Sequence, residues 1–291
     1  MGKHASNSTG ENRSPLFFFL LVIVFSIPFW AVGPVAERFL PEALTASLPV
    51  SALMACAPIF AAVVLTWREG GTGAVKGLLR RALDYKRISK KVWYVPILFF
   101  WPALMVLQYG LVSLVRGPLP RPQIPVVMVL VSFGMFFVGA VGEEVGWQGY
   151  AIDPLQERWN ALRASLLLGS LWAVWHIIPM IQLNRAPAWI AWQGMTMVLA
   201  RILIVWLYNN TGKAVLAAIL FHAMNNVTTV LLASYGWPYD PFSAVIILAV
   251  SAALITFLWG PETLARYRYA RTGRKLPENP GAETLRASER P

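Results

Sequence analysis

The sequence predicts an all-α protein: a polytopic transmembrane bundle of about eight spans with both termini in the cytosol. Three observations carry that reading. Of the 291 residues, 57% are hydrophobic and 13% charged, with a mean hydropathy of +0.54, whereas a soluble domain carries roughly 25% charged residues. Uncharged runs recur along the chain, such as Ile124 to Val141, and about 18 apolar residues suffice to cross a ~30 Å hydrocarbon core as a helix. Finally, the cations are distributed unevenly between alternate loops. β-barrels are excluded, because their strands alternate over roughly ten residues and lack long apolar runs.

The first span, 16–36, follows a polar tail and exceeds the core of a signal peptide, so no cleavable leader is expected. The second, 44–67, holds the single cysteine, Cys56, read as a small core residue. One cysteine excludes a disulfide framework or thiolate metal site within the chain. A basic stretch, 68–91, then leads to the third span, 92–115; its amphipathic turn near Val75–Leu83 fits an interfacial helix on an anionic leaflet. The fourth to eighth spans are 124–148, 163–181, 187–208, 213–233 and 241–260. Residues 1–14 and 261–291 are polar and read as disordered cytosolic tails, the second basic. Residues 15–260 form one domain without internal repeats. "MGKHAS" matches the myristoylation pattern by chance, and the sequons at Asn7, Asn12, Asn209 and Asn226 fall in cytosolic or intramembrane positions where glycosylation is not expected.

The net charge of +11 invites a nucleic-acid reading, but its placement answers otherwise. With the N-terminus inside, the cytosolic segments hold twenty Lys/Arg, the opposite segments four, and Arg201 lies within a span. That bias sets a multi-pass orientation in the plasma membrane with both termini cytosolic and favours anionic lipid as a partner. No nucleic-acid partner is expected, and nothing in the sequence speaks to oligomeric state.

Ionisable groups at membrane depth are costly and mark function by default. Here they are Glu143, Glu144, His176, Arg201 and His222, with the amides Gln148, Gln193, Asn225 and Asn226 nearby. Helical spacing puts Glu144 with Gln148, Trp172 with His176, and His222 with Asn226 on common faces. Three helices thus each bring a polar face to the bundle interior. A glutamate beside an imidazole can take a proton from water, and an imidazole and an asparagine on one face can donate to an oxyanion. Together they describe amide hydrolysis inside a membrane. Zinc is the rival reading, with Glu143, His176 and His222 as ligands. The helical H-E-x-x-H signature is absent, however, so no cofactor is expected.

At these residues the sequence resembles the CPBP family, the CAAX-protease and bacteriocin-processing (Abi) intramembrane proteases. Three motifs mark that family: E-E-x-x-x-R, F-x-x-x-H and H-x-x-x-N/D. They read here as "EEVGWQ" (143–148), "WAVWH" (172–176) and "HAMNN" (222–226), in family order within a motif core of 125–232. The resemblance implies an intramembrane endopeptidase acting on a membrane-associated peptide or protein substrate. In the type II prenyl endopeptidases that substrate is a lipidated CAAX peptide. Carried over, Glu143 and His176 activate water, His222 and Asn226 form the oxyanion hole, and Glu144 supports them. The sequence departs from the pattern twice. Trp172 stands for Phe, expected to change little, and Gln148 stands for Arg, which removes a cation beside two carboxylates. Arg201 is read first as snorkelling to the cytosolic interface; the alternative is that it supplies the missing charge.

Two other functions use the same residues. One is a catalytically weak family member acting as a membrane binding or immunity protein, favoured by Gln148. The other is a proton-relay transporter, which the lack of paired half-repeats disfavours. Depth poses a difficulty for all of them. If the fourth helix ends near Tyr150, Glu143 and His176 lie at different depths unless 153–165 dips into or lies along the bilayer.

Overall fold

Apolar length dictates the architecture. The computed structural model describes residues 15–39, 50–117, 119, 123–237, 239–265 and 267. Among these every regular element is helical, and eight stretches are long and apolar enough to cross a membrane. The order is α1 (Pro15–Glu37), α2 (Ala57–Arg80, entered through a 3₁₀ turn), α3 (Tyr94–Arg116), α4 (Val126–Gly146), α5 (Ile152–Arg158), α6 (Ala161–Trp175), α7 (Ile177–Gln182), α8 (Pro187–Asn210), α9 (Val215–Asn226), α10 (Leu232–Ser234) and α11 (Pro241–Trp259). A π-turn at Trp147–Ala151 joins α4 to α5, and another at Val227–Leu231 joins α9 to α10. Each therefore follows directly on a motif face, a place where π-turns are commonly found.

α9 runs through the middle of the bundle and is buried along most of its length. It packs against α3, α4 and α8, while α6 and α11 flank α8 and α1 lies on α2. Small residues set the closest approaches, as expected where helices cannot rely on water to drive them together. A Cβ on Gly142 would sit 2.5 Å from the Ala55 carbonyl oxygen, and one on Gly146 would sit 2.5 Å from that of Pro58. These two glycines, one turn apart, press α4 onto the start of α2 and turn its glutamates toward the other helices.

Several boundaries differ from expectation. The fourth helix does not stop near Tyr150: helix continues from Val126 to Arg158 through the π-turn. Pro154 lacks the N–H that would bond back to residue 150, and the looser winding just before it lets the chain go on. Segment 153–165 is therefore part of a helical hairpin. It completes one helix, turns at Trp159–Asn160 and starts the next, with the Asn160 side chain accepting from the Arg163 N–H. Glu143 and His176 each stand about fifteen residues, or ~22 Å at 1.5 Å per residue, from that hairpin, so their depths match. The difficulty came from the boundary alone.

Cys56 is exposed rather than in the core, since it ends the 3₁₀ turn while its neighbours Met54 and Ala57 face inward. The start of the expected C-terminal tail is docked. The Ala161 and Leu162 N–H groups donate to the Glu262 and Pro261 carbonyls, and the amides of Asn209 and Asn210 donate to those of Thr263 and Leu264. The residues up to Ala265 thereby cap α6 and tie off α8. Tail residues 1–14 and 268–291, and the start of the expected second span at 44–49, lie outside the described residues.

The basic stretch 68–91 is largely helical. α2 breaks at Gly70–Gly71, where Gly71 has φ +66°, and its far half brings Leu78 against the motif helix near Gly149. Beyond it the Arg81 guanidinium donates to the Gly149 carbonyl and the Tyr208 hydroxyl, both at 2.6 Å. The Tyr208 hydroxyl in turn donates to Asp153, which Lys213 also approaches at 3.0 Å. Arg87 reaches the Gly212 carbonyl. One face of the bundle therefore gathers residues 81–93, the 158–161 hairpin, the 210–213 turn and the docked segment.

Candidate active site

The sequence-predicted residues converge from three helices. Glu143 and Glu144 come from the last turn of α4, His176 caps the end of α6, and His222 and Asn226 lie on the last turns of α9. Glu144 is 0% exposed, Glu143 5% and His222 2%; His176 and Asn226 are partly exposed.

Two residues outside the predicted catalytic set organise the site. Trp172, on α6, donates its indole N–H to Glu143 Oε2 at 2.7 Å. Its backbone carbonyl lies 2.9 Å from His176 Nδ1. A carbonyl can only accept, so Nδ1 carries the proton and His176 Nε2 is left as a lone pair when the ring is neutral. The Trp172 ring also packs edge-on against both imidazoles, with centroids 5.4 Å from His176 and 5.2 Å from His222. Replacing the motif's Phe therefore changes more than expected: a Phe could not make the bond to Glu143.

Arg201 is the second. It does not snorkel: it is 0% exposed, with its guanidinium 2.7 Å from Glu144 Oε2 and 4.4 Å above the Trp172 ring. Gly169 makes room for it. A Cβ there would lie 2.9 Å from the Val198 Cα and 3.1 Å from the Arg201 Cβ, so α6 and α8 cross closely enough for Arg201 to reach the α4 carboxylate. The other oxygen of Glu144 lies 3.0 Å from His222 Nδ1. A carboxylate already accepting from Arg201 accepts here too, so His222 donates from Nδ1 and turns Nε2 away.

Two predicted members are joined less firmly. No hydrogen bond links His176 directly to Glu143; Trp172 bridges them. Asn226 makes no hydrogen bond to the other four and is placed with them only by its position one turn beyond His222. Gln148 is fully buried, and neither atom of its amide has a protein partner.

Among the described residues, no three His, Cys, Asp or Glu side chains are grouped so as to hold a metal ion. Of the residues in the zinc alternative, Glu143 uses one oxygen on Trp172, and His176 and His222 use Nδ1 on the Trp172 carbonyl and Glu144, which leaves Nε2 of each ring uncommitted.

Fold and site define a multi-pass membrane protein whose core pairs two carboxylates with two imidazoles, a set suited to hydrolysis. Comparison with known proteins adds a likeness to that class. Residues 125–228 match the family described as type II CAAX prenyl endopeptidase Rce1-like. The chain is also similar to CAAX prenyl protease 2 of Methanococcus maripaludis, with 27% identity over 246 residues, covering 76% of this chain and 85% of the relative. Over residues 125–228 the chain is thus similar to the type II CAAX prenyl endopeptidases, and over most of its length to one archaeal CAAX prenyl protease.

Proposed function

We propose that this protein is an intramembrane endopeptidase that cleaves a peptide bond in a membrane-associated, CAAX-like substrate, using water activated by Glu143. The observation that carries this reading is the Trp172 bridge, which holds Glu143 by its indole N–H and fixes the His176 tautomer by its carbonyl. A water between Glu143 and His176 Nε2 meets two acceptors. As its oxygen attacks the scissile carbonyl carbon, Glu143 takes its proton. The carbonyl oxygen becomes an oxyanion facing His222 Nε2 and the Asn226 amide, the donors of this reading. With Nδ1 committed to Glu144, an N–H at Nε2 makes His222 an imidazolium, and Glu144 is its countercharge. When the tetrahedral intermediate collapses, the C–N bond breaks and the proton held by Glu143 passes to the leaving amine. The products are a carboxylate and an amine.

This mechanism uses no cofactor. The substrate reaches the site from the membrane, and the chain sits in the plasma membrane with both termini in the cytosol. A catalytically weak binding protein is the competing reading, and Gln148 is the observation in its favour. Cleavage of a lipidated CAAX peptide by the purified protein in vesicles decides between them. Wild type cleaves and Glu143→Gln loses about 10²–10⁴-fold, the usual contribution of a general base; equal rates for the two proteins would sink the proposal.

A further inference from the structure

We infer that Arg201 is a positioning residue of this site, supplying from α8 the cation that the family's first motif supplies from the glutamate-bearing helix. The inference rests on the peptidase reading above. Gln148 occupies the motif's Arg position, one turn after Glu144, yet it does not act as a neutral stand-in. Its amide is buried and bonds to no protein group, so Glu144 draws nothing from it. Glu144 draws instead on Arg201, 57 residues away in sequence.

Arg201 does more than neutralise one carboxylate. Its guanidinium grips Glu144, which holds His222, and lies on the face of Trp172, which holds Glu143 and His176. The proton-taking half of the site and the oxyanion half thus meet at one buried group. A planar guanidinium suits this geometry, because it can hydrogen-bond through its edge and stack through its face at once; an ammonium cannot. Nε and Nη2 of Arg201 bond to no protein group, so its hydrogen bonding is spent on Glu144. The Gly169 crossing is what admits the side chain, so the relocation is built into the packing of α6 on α8.

Moving the cation back provides the test. Arg201→Gln, Arg201→Lys, Gln148→Arg, the double variant Arg201→Gln/Gln148→Arg, and Glu143→Gln are assayed for cleavage of a lipidated CAAX peptide in vesicles, with kcat and KM separated. Arg201→Gln lowers kcat about 10- to 100-fold, the span of one lost charged hydrogen bond, and leaves KM within about threefold, as expected for an interaction that matters in the transition state. Arg201→Lys keeps the charge without the planar fork and recovers only part of that loss. Gln148→Arg alone lowers activity, because two cations then crowd one carboxylate. The same change in the Arg201→Gln background raises it by at least about tenfold. That reversal of sign distinguishes a relocated functional cation from a structural prop. If Gln148→Arg fails to raise Arg201→Gln, or if Arg201→Gln keeps wild-type kcat, the inference falls. Should the single variant not fold, the neutralised pair Arg201→Gln/Glu144→Gln, which removes the cation together with the carboxylate it grips, takes its place; wild-type kcat in that variant likewise overturns the inference. Glu143→Gln keeps the two readings apart: full activity there defeats the peptidase mechanism itself.

Discussion

Glu143 and Glu144 are neighbours, yet exchanging each for glutamine should give opposite signatures. Glu144 is fully buried and shared between Arg201 at 2.7 Å and His222 at 3.0 Å. Glutamine in its place leaves the Arg201 cation buried without its countercharge, and breaking a buried pair from one side costs about 3–5 kcal/mol. A domain of this size shifts its melting temperature by about 2–4 °C per kcal/mol, so Glu144→Gln should lower Tm by roughly 6–20 °C. Glu143 meets one donor, the Trp172 indole. Glutamine keeps an acceptor oxygen there and removes a buried charge. The lost charge assistance and the relieved desolvation roughly offset one another, so Tm should stay within about 3 °C. Activity behaves differently: Glu143→Gln loses about 10²–10⁴-fold of cleavage in a stable protein, whereas Glu144→Gln loses activity and stability together. The 13 tryptophans make intrinsic fluorescence during heating a direct readout, with peptide cleavage measured alongside. An unmoved Tm for Glu144→Gln, or an equal fall for both variants, would refute the assignment of Arg201 to Glu144.

Four further outcomes are expected. Trp172→Phe restores the motif's residue but removes the donor to Glu143, and should lower kcat by about 10- to 100-fold; an unchanged kcat would mean that the indole bond does not orient the base. Gly146→Ala puts a methyl group 2.5 Å from the Pro58 carbonyl oxygen, a backbone clash that α2 must yield to. It should cost about 1–3 kcal/mol, read as a fall in Tm, while Gly139→Ala, where a Cβ meets nothing within 4 Å, should be neutral. Metal analysis of the purified protein should find no stoichiometric zinc, and chelator treatment should leave cleavage intact; loss with chelator and recovery with zinc would favour the Glu143, His176 and His222 ligand set instead. Finally, reporter fusions at the two ends should both report the cytosol, and an opposite result at either end would overturn the orientation read from the basic loops.

The parts of this protein legible in its sequence are those governed by short-range periodicity. Apolar length located the eight spans, and four-residue spacing placed His176 with Trp172 and His222 with Asn226. What the sequence hid depends on partners far along the chain. The Trp172 side chain differs from phenylalanine by one useful N–H, and its acceptor lies 29 residues away. The burial of Arg201 follows from a glycine on a different helix, so span position alone favoured the snorkelling that the structure excludes. The boundary at Arg158 was hidden because Pro154 usually signals a stop, while the π-turn that lets the helix pass it leaves no compositional mark. The docked segment at Pro261–Ala265 is held largely through backbone carbonyls, which every residue type has.

Adjacency explains why the motif carries two glutamates rather than one. Successive residues on a helix point about 100° apart, so two neighbouring carboxylates cannot serve the same partner. Glu143 turns to α6 and meets a neutral indole donor; Glu144 turns to α8 and α9 and meets a guanidinium and an imidazole. Identical side chains thereby acquire different duties from their surroundings, as paired carboxylates in hydrolases do. The carboxylate fixed by a cation is committed to Arg201 and His222, and the one held by a single neutral N–H keeps an oxygen free to accept a proton. On this division a cation is needed only on Glu144's side, and either helix that can reach it will serve. Here α8 delivers it past Gly169, and position 148 holds a glutamine.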